Sequence, residues 1–125
     1  MSNRPLLIVA AVIAVILISP VIAEAAPRPE PLDETAALNL LGRTLKRDHI
    51  YTHRISWDCI SHITEETTSA YFQFVLRENH NAKCGGDPET SSAIDRYRVY
   101  RRAGKIEWLE QVEDKWRRYD PAKIK

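Results

Sequence analysis

The chain carries almost no net charge: 18 lysine and arginine residues face 17 aspartates and glutamates, leaving +1 over 125 residues. Nucleic-acid-binding domains ordinarily show a strong basic excess, so this balance argues against that class of partner. Losing Arg4 and Glu24 with an N-terminal segment would leave the balance unchanged. Cysteine is scarce too, with only Cys59 and Cys84. Neither lies near the end of the apolar N-terminal run, which disfavours a lipid-modified terminus. The four histidines, His49, His53, His62 and His80, do not form the grouped set of about four ligands that a zinc site needs, even with Cys84 added. There is no internal repeat, and the only biased stretch is a short proline-rich one. No metal site, cofactor or catalytic residue is assigned.

What the chain does have is a short basic start, Met1–Arg4, then an apolar run, then small residues around Ala23 and Ala25. Leu6–Ile18 fits the roughly 7–15 apolar residues of a secretory signal, and Pro20 breaks any helix before the exit. Residues 1–25 are therefore expected to be a signal peptide. A retained membrane anchor is the alternative, since Pro5–Ala23 comes close to the ~20 apolar residues needed to span a bilayer. The expected location is periplasmic or secreted, or membrane-anchored facing the periplasm if the segment is kept. Alternate prolines make residues 26–32 a stiff linker. Residues 33–119 are of single-domain size, and residues 120–125 are expected to fray.

Asp33 is a good helix N-cap, with Glu34 in the first turn. Leu38, Leu41 and Leu45 predict an apolar stripe on a helix over Glu34–Asp48. Gly42 costs that helix about 1 kcal/mol against alanine and suggests a close approach to a sheet. Strands are predicted over Cys59–Thr67, Tyr71–Glu78, Ile94–Arg101 and Lys105–Val112, with Gly104 supplying a positive φ in the third turn. Trp57 is expected at the junction of helix and sheet. The expected fold is α+β: one N-terminal helix on a four-stranded antiparallel sheet, in the order of cystatin-like folds, an analogy that carries no function.

In an oxidising compartment the two cysteines of a small domain pair, so a Cys59–Cys84 disulfide is expected. The chain-entropy model puts its worth at roughly 3–4 kcal/mol. The sharper alternative makes Cys84 a nucleophile with His80 and Asp87 near it in sequence. Glu78, His80 and Asp87 are candidate acid/base groups at a loop rich in turn formers. Arg96 and Arg98 share one strand face, with Tyr97 and Val99 on the other. Arginine among tyrosine and tryptophan suits a binding face, and it equally suits a solvated sheet face neutralised by Glu107, Glu110 and Glu113.

Glu78–Val99 reads E-N-H-N-A-K-C-G-G-D-P-E-T-S-S-A-I-D-R-Y-R-V, followed by R-R-A-G-K-I-E-W. This resembles a group of small exported bacterial proteins that share an E-x-H, C-G-G-D-P, D-R-[FY]-R-V and G-K-I-x-W layout. The matching positions are Glu78, His80, Cys84, Gly85, Gly86, Asp87, Pro88, Asp95, Arg96, Arg98 and Val99. The resemblance implies a bacterial envelope setting and no particular activity. The reading is thus a non-enzymatic binding module, of inhibitor or immunity type, that contacts another envelope protein or an anionic envelope component through Arg96, Arg98, Glu78, His80 and Asp87. It predicts no nucleic-acid partner, and a membrane contact only if the N-terminal segment is kept. The alternatives are a small hydrolase using Glu78, His80 and Asp87, or a purely structural envelope module.

Overall fold

In a computed structural model of the chain, residues 20–124 are described. The expected signal or anchor falls mainly on residues 1–19, outside the described part. Residues 20–33 carry neither helix nor strand. No helix among the described residues is long and apolar enough to cross a membrane.

Helix α1 spans Glu34–Arg47. Its start is set as the sequence predicts: the Asp33 carboxylate accepts from the Ala36 N–H at 2.7 Å, and Glu34 complements the dipole. Its end is a left-handed cap at His49, φ 55°. There the His49 N–H donates to Lys46 O and the Ile50 N–H to Leu45 O, which satisfies two orphan carbonyls and drops Ile50 into the core.

Five antiparallel strands follow in simple succession, β1 Ile60–Thr67, β2 Tyr71–Glu78, β3 Ala93–Tyr100, β4 Ile106–Glu110 and β5 Lys115–Arg118, ordered 1-2-3-4-5. The α+β architecture matches expectation, and the sheet has one strand more than the four predicted. That strand, β5, is only four residues long and mostly charged, so it has no apolar alternation to betray it. It pairs Leu109 with Trp116 and Glu107 with Arg118 after a turn at Asp114, φ 53°.

Strand alternation divides the sheet into two faces. Phe72, Phe74 and Leu76 of β2, Tyr97 and Val99 of β3, and Ile106 and Trp108 of β4 form the inner face under α1. Ala37, Leu41 and Leu45 fill it from the helix, each larger side chain contributing roughly 1.5–3 kcal/mol on burial. The buried stripe is rotated from the predicted one, since Leu38 is only half-buried. Gly42 also departs from expectation: a Cβ there would meet nothing within 4 Å, so no sheet approaches it. Near the end of the described residues, Ile124 is 6 % exposed and joins the core.

Cys59 and Cys84 are disulfide-bonded, with Cα atoms 5.6 Å apart. The bridge ties the start of β1 to the loop after β2. It also removes the nucleophile reading of Cys84, since a bridged sulfur has no thiolate to offer.

Candidate functional site

Two regions carry the predicted site residues, and they are built differently. The first is the loop 79–92. Most of the hydrogen bonds its side chains make hold the loop itself or tie it to adjoining residues. The Asn81 side chain accepts from the N–H groups of Lys83 and Cys84 at 3.0 and 2.8 Å, a turn that aims Cys84 back at Cys59. Asp87 uses its carboxylate to accept from the Glu89 N–H at 2.9 Å. His80 is the centre of the loop. Its Nε2 lies 3.1 Å from Glu78 Oε2, and its Nδ1 lies 3.0 Å from both the Asp87 carbonyl and Thr90 Oγ1. A protonated imidazole donates from both nitrogens, which suits the carboxylate on one side and the carbonyl on the other. The Glu78 carboxylate accordingly raises the His80 pKa, against a smaller opposing effect of desolvation.

The glycines of C-G-G-D-P have equally local reasons. Gly85 and Gly86 sit at φ 76° and 80°, where an L side chain is strained. A Cβ on Gly86 would also stand 2.6 Å from the His80 ring. The structure thus brings Glu78 and His80 together and joins Asp87 to them by its backbone alone. None of the cavities of about 340–560 Å³ found among the described residues is lined by any of the three.

The second region is the outer sheet face, where Arg96 and Arg98 lie. Arg96 Nε donates to Glu65 at 3.0 Å, and Gln73 donates to the same carboxylate at 3.0 Å. Arg98 Nε donates to Gln73 Oε1 at 3.0 Å. Its guanidinium lies 4.0 Å from the Trp116 ring centroid and 4.5 Å from that of Tyr71, a stacked cation between two aromatic faces. Tyr71 leans on Tyr100 at 5.5 Å, and their hydroxyls donate to Glu66 and Glu107 at 2.9 Å each. Burial raises the Glu65 and Glu107 carboxyls, but hydrogen bonds from Arg96 and Gln73, and from Lys105 and Tyr100, leave both below their ordinary value.

The acids that neutralise the arginines are mainly Glu65 and Glu66, whereas the sequence pointed to Glu107, Glu110 and Glu113. Strict alternation would send one of two adjacent glutamates into the core. A β-bulge between Thr64 and Glu66 puts both on the outer face. An adjacent Glu-Glu pair inside a strand pattern was the available signal.

A buried polar cluster escaped sequence reading altogether. The Tyr51 hydroxyl donates to Asp95 Oδ2 and shares a hydrogen bond with the Tyr97 hydroxyl, both at 2.5 Å. Gln111 donates to Asp95 Oδ1 at 3.1 Å. Desolvation raises the pKa of all three ionisable groups, Tyr51, Tyr97 and Asp95. Tyr51 stands at φ 69° in an irregular segment, a conformation that no sequence pattern announces. The cluster fastens the segment after α1 to β3.

Among the described residues no three His, Cys, Asp or Glu side chains gather as a metal ion would require. Compared with protein-family models, with curated proteins and with solved structures, the chain matches none.

Proposed function

We propose that this chain is a small exported binding module without catalytic activity, and that it contacts another envelope protein through its outer sheet face. One observation carries the reading. Helix α1 covers the inner face, while among the described residues no element covers the outer one, where Trp116, Arg98 and Tyr71 are stacked beside Tyr100 and Leu109. Tryptophan, tyrosine and arginine are the residues that most often carry interface energy. A stacked guanidinium presents them with little rotamer freedom left to lose on binding.

A protein partner is favoured over an anionic envelope component. Arg96 and Arg98 already face Glu65 and Glu66, so the surface offers shape and aromatic area rather than uncompensated positive charge. The hydrolase alternative has one supporting observation, the Glu78–His80 contact, but those groups support a loop and border no cavity named above. The bridged cysteines are compatible with an oxidising compartment, in keeping with export.

The test is recovery of partners from envelope extract by the wild-type chain, by Arg98→Ala with Trp116→Ala, and by the hairpin control Arg102→Ala. The reading expects a discrete protein to be lost with the double variant and kept with the control, and then to bind in purified form. Unchanged recovery by the double variant sinks it.

A further inference from the structure

We infer that the first half of β1, together with the groove between β1 and α1, is a second binding site, one that accepts an extended peptide strand carrying an apolar side chain flanked on the same strand face by acidic ones. It lies on the helix side of the sheet and does not depend on the outer face.

The argument begins with the sheet edges. The strand order 1-2-3-4-5 leaves β1 and β5 as edges. An edge exposes a row of unpaired N–H and C=O groups, and proteins blunt such rows with shortness, charge or bulges. Strand β5 is blunted: it has four residues, and Lys115, Arg117 and Arg118 are three of them. The second half of β1 is blunted by the bulge and by Glu65 and Glu66. The first half is not. Ile60–Thr64 pairs with Glu78–Phe74 in unbroken register, contains no proline, and has His62 as its one titratable side chain. No described element pairs with its free edge.

Beside this open edge lies a groove. Helix α1 packs mainly over β2 and β3 and meets β1 at its first turn, where Thr64 Oγ1 donates to Glu34 Oε1 at 2.5 Å; beyond that contact a cavity of about 360 Å³ lies between the helix and the edge strand. Leu38, Trp57, Ile60 and Leu76 give it apolar walls, and Gly42 opens one side. That glycine has no other structural reason. It is helical, nothing lies within 4 Å of where its Cβ would be, and alanine would favour the helix by about 1 kcal/mol. A side chain at position 42 would project into the groove, so glycine keeps the groove open.

The rim sets the charge of the ligand. Arg43 and Lys46 line the helix side, both exposed; the Lys46 ammonium lies 5.3 Å from the Trp57 ring centroid, and among the described residues neither cation has an acidic partner within 4 Å. Asp58, the acid on the opposite side, is already paired with Lys83 at 3.1 Å. An open strand edge, an apolar slot and two cations without acidic partners together describe strand addition, in which backbone bonds supply affinity and the slot reads alternate side chains.

The probe is a capped seven-residue peptide with leucine at its centre, glutamate two residues to either side and threonine elsewhere, so that leucine and both glutamates share one strand face; it is titrated into the full chain in mild detergent and followed by backbone amide shifts. Two control peptides accompany it: one with lysine in place of both glutamates, and the acidic peptide N-methylated at alternate amides, which cannot complete a strand ladder. The expected result is saturable shifts confined to Ile60–Thr64 and the α1 face, with binding at least about tenfold weaker for either control peptide. Gly42→Leu fills the slot with a better helix former and should weaken binding by a similar factor while leaving the fold intact. No saturable shift up to about 1 mM overturns the inference, as does equal binding of the N-methylated peptide. Concentration-dependent dimerisation through the same β1 amides, abolished by Gly42→Leu, also overturns it, in favour of a second copy as the occupant.

Discussion

The stapled loop 79–92 and the outer sheet face are both rich in polar and charged residues, and both look like sites in the sequence. They differ in what those residues have left to offer. In the loop, Asn81, Asp87, His80 and Thr90 are bonded to one another or to nearby backbone, around a disulfide and two glycines in the left-handed region. On the face, the charges are paired and Arg98 and Lys105 lie over the rings, but the half-buried side chains of Trp116, Tyr71, Tyr100 and Leu109 lie on a surface that no described element covers. Density of chemistry-bearing residues along a chain is therefore a poor guide to a site. What separates a strut from a contact surface is whether hydrogen-bonding capacity and apolar area have already been used inside the fold.

The contrast can be broken most forcefully at the bridge. Replacing Cys59 and Cys84 with alanine should cost about 3 kcal/mol of stability by chemical denaturation, since the closed loop is long. The loop should become protease-sensitive, and the folded fraction should still bind its partner. Partner loss in chains that remain folded would mean the loop is part of the contact.

Next comes the pair of glycines. Gly86→Ala combines a left-handed backbone with a collision against the His80 ring and should cost roughly 2 kcal/mol, against about 1 kcal/mol for Gly85→Ala, which has open space. Equal losses would show that His80 does not pack as described.

The loop should also respond to pH. The His80 pKa is raised in the folded chain, chiefly by Glu78. Its stabilising contribution is therefore fully present below the ordinary histidine value of about 6.5 and is lost as pH rises through the folded value. Amide protection over Cys84–Thr90, corrected for intrinsic exchange, should fall across that window and stay level in His80→Gln. A level wild-type profile contradicts the network.

The smallest stability effect belongs to the face. Arg98→Ala should change stability by about 1 kcal/mol, the worth of one partly buried hydrogen bond and a partly exposed stack. A much larger loss would make Arg98 a structural residue rather than a contact.

Much of the fold is legible before any coordinates. Asp33, Gly104 and the alternation in Tyr71–Glu78 each act locally, so their signals lie in a few adjacent residues. Strand β5, the partners of Arg96 and the Tyr51–Asp95–Tyr97 cluster depend on distant pairing, on a bulge, or on a tyrosine held at positive φ by its surroundings. The candidate site was half legible. Arg96 and Arg98 do share the outer face, and their residue types suit a contact. Their neutralisation by Glu65 and Glu66, and the stacking of Arg98 on Trp116, depend on two strands that sequence spacing does not bring together.

The central claim is that the face makes contact and the loop does not. The most direct test places a photoreactive side chain at Leu109, on the face, or at Glu89, at the loop surface, in cells that make the protein. The account predicts discrete cross-linked adducts from position 109 and none from position 89. Adducts from position 89 alone would contradict it.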